Sequence, residues 1–146
     1  MQRNLEQILN IIFHSSELLE DEMKQESNLQ NLTSRQLYCL ELIWEMQNPT
    51  LTELAEQMKI AKASISVMID RLEKGNFIYK VTSDNDRRMA HIHLTMDGQK
   101  AVVLHSELHK RISDLLTKEM TDSEKQILIV LLNKSVLSLI SNKNKI

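Results

Sequence analysis

The stretch SDNDRRMAHIHLT, Ser83–Thr95, decides how this chain is read. It opens with a charged tip holding two adjacent arginines and closes in alternation. Ala90, Ile92 and Leu94 point one way and His91 and His93 the other, the period of a half-buried strand. The preceding FIYKVT, Phe77–Thr82, is rich in β-branched and aromatic residues. Two short strands around a charged tip predict a β-hairpin. Most of the surrounding sequence has helical spacing, so the hairpin is expected as a wing on a helical body.

Just upstream, two short helices are expected. Thr50 and Glu53 stand at capping-box spacing, followed by the stripe Leu51, Leu54, Ala55 and Met58. After the short turn KIAK, Ile65, Met68, Ile69 and Leu72 form a second stripe. Gly75 or Asn76 can take the left-handed conformation that favours a helix end.

Farther out, residues 4–26 carry Leu5, Ile8, Leu9, Ile12, Leu18, Leu19 and Met23 at helical intervals. A helix capped by Thr33 or Ser34 follows, with Leu37, Leu40, Ile43 and Trp44 on one face, and it ends before Pro49. Thr95 is the expected cap of a long helix over about residues 97–118, and Thr121 with Glu124 opens a last one. That last helix is apolar nearly all round from Ile127 to Ile140. Such a helix must be buried on several sides, and a second copy of the chain is the simplest cover. The expected fold is mainly α with a small β-hairpin wing. Residues 33–96 form a winged helix-turn-helix, and residues 1–32 and 97–146 form a helical dimerisation region.

Composition narrows the function. The 146 residues are 42% apolar and 3% aromatic, with 2 Gly and 1 Pro, which suits one helix-rich domain. No 18-residue apolar run predicts a membrane span. The first residues lack the features of a secretory signal, and the single cysteine, Cys39, fits a reducing cytoplasm. No Gly-rich phosphate loop, Ser/His/Asp arrangement or paired-carboxylate cleft suggests an enzyme, and no cofactor is implied. Net charge is −2, yet residues 59–88 set Lys59, Lys62, Arg71, Lys74, Lys80, Arg87 and Arg88 against Asp70, Glu73, Asp84 and Asp86, a local +3. A basic patch in an acidic chain is a footprint for a polyanion.

A helix fits the major groove of duplex DNA, with its first turns facing base edges. Anchored by Ile65, Met68, Ile69 and Leu72, the second short helix would offer Lys62, Ala63, Ser64, Ser66, Val67, Asp70 and Arg71 outward. The wing tip would bring Arg87 and Arg88 to the adjacent minor groove, where arginine is favoured by negative potential. Asp86 would orient a guanidinium through paired hydrogen bonds.

The segment LTELAEQMKIAKASISVMIDRLEKGNFIYKVTSDNDRRMAHIHLTMDG, Leu51–Gly98, closely resembles the winged-helix core of the MarR family of bacterial transcriptional regulators. LTELA, DRLEK and DRR followed by HLT and Gly98 carry the resemblance by their order and spacing. It implies a recognition helix at about Lys62–Lys74, a wing arginine at Arg88 and an orienting acid at Asp86. It also implies homodimers that bind a pseudo-palindromic operator in double-stranded DNA. Such dimers usually repress promoters, and many are released by a small-molecule effector, a metal ion or an oxidant. The chain departs from the family pattern at Val67, where many members have arginine, and at Ala61 and Ala63, where serine is frequent. Asn76 stands at a common glycine position.

Two features bear on sensing. Oxidant-sensing members resembling this chain usually carry a reactive cysteine in the first helix, whereas Cys39 lies in the second. His105 and His109 stand at i, i+4, a spacing that can share a metal, with Glu107 between them. Zinc-responsive members look similar at these two histidines, but Leu37 and Tyr38 stand where their further ligands lie. The expectation is no metal, with a metal-responsive repressor using His105 and His109 as one alternative. A dimeric helical adaptor that binds protein through its wing is the other.

Overall fold

A computed structural model describes residues 2–85 and 89–143. The order is α1 (Leu5–Glu26), α2 (Ser34–Glu45), α3 (Leu51–Met58), α4 (Lys62–Lys74), β1 (Ile78–Thr82), β2 (Ala90–Leu94), α5 (Met96–Thr117) and α6 (Asp122–Lys143). The chain divides into two compact units, Met1–His109 and Lys110–Ile146. Among the described residues no helix is long and apolar enough to cross a membrane.

The first unit contains the winged helix-turn-helix expected from the sequence, together with α1 and the first part of α5. Its first three helices start where a side chain can satisfy the free backbone N–H groups of a first turn. Asn4 with Gln7, Thr33 with Gln36, and Thr50 with Glu53 each form a reciprocal capping box. Lys59 ends α3 in the left-handed region at φ 54°, and Ile65, Ile69 and Leu72 then seat α4 on the body with no exposure. The core joins these residues to Leu37, Leu40 and Ile43 of α2, Leu54 of α3, Ile78 and Ile92 of the hairpin, and Ala101 of α5.

The hairpin is antiparallel, with Ile78 opposite Leu94, Lys80 opposite Ile92 and Thr82 opposite Ala90. Ile92 and Leu94 are buried, as the alternation requires. The segment before α3 adds to this sheet. Thr50 bridges His91, Ile92 N–H donates to the Pro49 carbonyl at 2.9 Å, and His91 Nδ1 lies 2.9 Å from the Asn48 carbonyl. The sequence shows Pro49 as a helix stop and gives no sign of this pairing, because one bridging residue has no period.

Asn76, not Gly75, adopts positive φ, at 64°. Its carbonyl accepts the Thr95 hydroxyl at 2.6 Å, and that hydroxyl oxygen caps α5 by accepting Gly98 N–H at 3.1 Å. Gly98 is required by space. A Cβ there would lie 2.1 Å from the Phe77 carbonyl oxygen. The end of α4, the start of β1 and the start of α5 are thus knotted together.

In the second unit, Thr121 and Glu124 cap α6, with Thr121 N–H donating to Glu124 Oε2 at 2.8 Å. No described side chain of α6 is buried.

Candidate nucleic-acid interface

The residues expected to face DNA from α4 lie on one side of it. Lys62, Ala63, Ser64, Val67 and Arg71 are exposed and Ser66 is half-buried. Val67, 51% exposed, is an apolar group standing in water on a polar face. Ala61, at the N-cap, makes no side-chain capping bond, as expected where alanine replaces serine. The first turn of α4 therefore leads with small side chains and backbone N–H groups, the arrangement that lets a helix end approach a phosphate.

Asp70 and Glu73 would oppose a polyanion if they stood free. Instead Lys80 of β1 reaches both, at 3.0 Å and 3.1 Å. The hydrogen bond to Asp70 raises the Lys80 ammonium above its ordinary range, despite partial burial. By sequence Lys80 belongs to the basic patch. In the fold it offsets one of the two negative charges of Asp70 and Glu73 and ties the hairpin to α4. The exposed cations Lys62, Arg71 and Lys74 flank this arrangement. A surface cavity of about 700 Å³ runs from the start of α3 to the hairpin, lined by Glu53, Glu56, Lys62, Lys80, Met89 and Ile92.

The hairpin closes toward its tip with Ser83 N–H donating to the Met89 carbonyl at 3.0 Å. Asp86, Arg87 and Arg88 lie outside the described residues.

Cys39 is fully buried, and burial pushes its thiol up to about 12. A thiol held there is overwhelmingly protonated at neutral pH and a poor nucleophile. His105 is buried and His109 exposed. His105 Nδ1 lies 2.6 Å from Glu41 Oε1, and its Nε2 is 3.9 Å from Glu20 Oε2. Glu20 also holds Lys24 at 2.6 Å and accepts from the Ser34 hydroxyl. Burial raises the Glu20 carboxyl, but the bonds from Lys24 and Ser34 outweigh it and leave it below its ordinary value. Sequence reading did not find Glu41 as the partner of His105, since nothing local links residues 64 positions apart, nor Lys24 as the partner of Glu20.

A model of the MarR family matches residues 32–89. The uncharacterized HTH-type transcriptional regulator YwaE of Bacillus subtilis is 31% identical over 125 residues, covering 84% of this chain and 72% of that protein. The HTH-type transcriptional repressor MdtR of the same organism is 30% identical over 80 residues, 55% of this chain and 52% of its own length. The crystal structure of Streptococcus pneumoniae FabT in complex with DNA matches with a TM-score of 0.79 at 20% identity, covering 97% of this chain and 96% of that one. At that identity the likeness establishes a shared fold.

Proposed function

The chain belongs to the MarR family of transcriptional regulators, and from that premise we propose that it binds double-stranded DNA as a homodimer and represses transcription. The two faces of α4 carry this reading. Ile65, Ile69 and Leu72 are fully buried while Lys62, Ala63, Ser64, Val67 and Arg71 face water. A helix fixed so firmly by one side and so bare on the other is built to be read against something, and a major groove accepts a helix of this kind. Residues 33–96 do the reading, with Ser66 beside the exposed set and Arg87 and Arg88 of the wing, oriented by Asp86, reaching the minor groove. That FabT, which shares the fold, was solved with DNA, and that MdtR is a repressor, support the same reading.

Residues 1–32 and 97–146 supply the pairing surface. α1 exposes Leu5, Ile8, Leu9, Ile11 and Phe13, and α6 exposes Ile127, Leu131, Leu137 and Leu139 among others. A twofold pair places its two recognition helices on half-sites about one helical turn apart, matching a pseudo-palindromic operator. Release follows binding of a small-molecule effector.

Selection of bound genomic fragments, followed by fluorescence anisotropy across a salt series, tests this. The expected result is one enriched pseudo-palindrome whose affinity falls linearly with the logarithm of salt concentration, from counterion release. Absence of any enriched sequence, with no salt slope, would instead mark the chain as a protein-binding adaptor.

A further inference from the structure

His105 and His109 stand one turn apart on α5, with ring centroids 4.3 Å apart and ring planes inclined by 55°. Alone they are half a metal site, since a closed tetrahedral set needs four donors. The fold adds a third donor from another helix. Glu41, near the middle of α2, has its Oε1 2.6 Å from His105 Nδ1. One ligand atom from each of Glu41, His105 and His109 lies within 4.8 Å of the others. We propose that these three side chains form a binding site for a borderline divalent cation of the zinc class, with the remaining position open to water.

The donor set selects the ion. Two imidazoles and one carboxylate suit zinc, cobalt or nickel, whereas magnesium and calcium take oxygen ligands. Around a tetrahedral ion with bonds near 2.05 Å, donors sit about 3.4 Å apart. To reach that spacing the Glu41–His105 contact at 2.6 Å would open by about 0.8 Å around the ion, and His109, the exposed member, would close in from within 4.8 Å.

The surroundings fit the same purpose. A ligating imidazole characteristically directs its second nitrogen at a carboxylate, which fixes ring orientation and tautomer. His105 meets Glu41 with Nδ1 and faces Glu20 with Nε2, 3.9 Å away. Glu20 is itself held by Lys24 and Ser34. A surface cavity of about 430 Å³, lined by Glu41, Glu45, Glu107 and His109, opens two of the three donors to solvent. Three carboxylates in that lining draw cations inward. A bound ion would link α2 to α5, with Glu20 of α1 behind it.

The same atoms could serve only as an ion pair between a protonated His105 and Glu41. The two arrangements differ at His109, which the ion pair does not use. The test is a titration of full-length, chelator-stripped protein with Co²⁺, followed by visible absorption, and with Zn²⁺, followed by calorimetry. One ion per protomer and the intense bands of four-coordinate cobalt are expected. His109→Ala and Glu41→Gln should each weaken binding at least tenfold, while His93→Ala, outside the trio, should leave it unchanged. His109 is exposed, so its variant should keep the parent circular dichroism and melting temperature, which guards against mere unfolding. Substoichiometric binding, the pale spectrum of six-coordinate cobalt, or a His109→Ala variant that binds like the parent would each overturn the site. None of these readouts involves DNA, so their failure would leave the proposed operator binding standing.

Discussion

α4 and α6 both present a conspicuous surface to water, and the two surfaces are chemical opposites. α4 buries Ile65, Ile69 and Leu72 completely and turns small, hydroxyl and basic residues outward. α6 buries nothing among its described side chains and exposes nine large apolar ones, Ile127, Ile129, Val130, Leu131, Leu132, Val136, Leu137, Leu139 and Ile140. Hydration satisfies the outer face of α4, so that face can wait for a polyanion at little cost. The surface of α6 has no such rest state. Burying one Val, Leu or Ile side chain contributes about 1.5–3 kcal/mol. These side chains are about half to two-thirds exposed, so covering most of the nine on each of two copies is what offsets several kcal/mol of lost translational and rotational freedom. Exposure alone does not say what a face is for; its chemistry separates a surface that waits from one that must be covered.

The contrast can be broken most decisively at α6. Deleting residues 124–146 should abolish the stable dimer, read by analytical ultracentrifugation at micromolar concentration. A monodisperse monomer of the full chain would already remove the contrast. The two faces of α4 come next. Ile69→Ala should cost about 2–5 kcal/mol of unfolding free energy in a urea titration. Val67→Ala should stay within about 0.5 kcal/mol of the parent, while altering base preference wherever a thymine methyl is met. Equal costs for the two variants would mean that α4 is not two-faced. On the DNA side, Arg88→Ala should weaken operator binding by about 1–3 kcal/mol and relax the preference for A·T pairs at the half-site edge. If Lys62 meets a phosphate, Lys62→Ala should weaken all sequences alike and reduce the salt slope by about 1.

The smallest expected effect compares the caps of α3 and α6. Hydrogen bonds from the Thr50 backbone and hydroxyl hold the Glu53 carboxyl below its ordinary value of 4.5, and Thr121 does the same for Glu124. A lowered folded-state value gives stabilisation that is complete above the unfolded-state value. It is lost as pH falls through the folded one. Helical circular dichroism should therefore decline gently on acidification below about pH 4.5, and less so in the double variant Glu53→Gln, Glu124→Gln. An identical acid profile for parent and variant would show that these caps are idle.

Much of this was legible because local rules govern it. The stripe of α4, the alternation of β2 and the boxes at Thr50 and Thr121 each follow from residues within four positions of one another. The cap at Asn4, with Gln7 three residues later, has the same local spacing. What stayed hidden depends on distant parts of the chain meeting. Lys80 looked like one more cation of a basic patch until β1 placed it across Asp70 and Glu73. Glu41 carries no local signal in α2, and its partner His105 comes from α5. Gly98 was recognisable by family pattern, but its reason, the Phe77 carbonyl lying where a Cβ would stand, is a tertiary fact. Cys39 shows a third kind of limit, since a thiol's reactivity is set by burial that spacing only suggests.

The bare apolar surface of α6 has a genetic consequence. If an identical copy covers it, as proposed, that surface cannot tell a working subunit from a damaged one. A variant that keeps α6 but loses the residues of α4 proposed to read the groove would still pair with the parent. With equal amounts of both and random pairing by the isologous contact of a twofold dimer, only about a quarter of the dimers would carry two intact reading helices. Defects in α4 should therefore be dominant in a cell that also expresses the parent, and defects in α6 recessive. Expressing each variant beside the parent, with a reporter under the operator, would separate the two classes of allele.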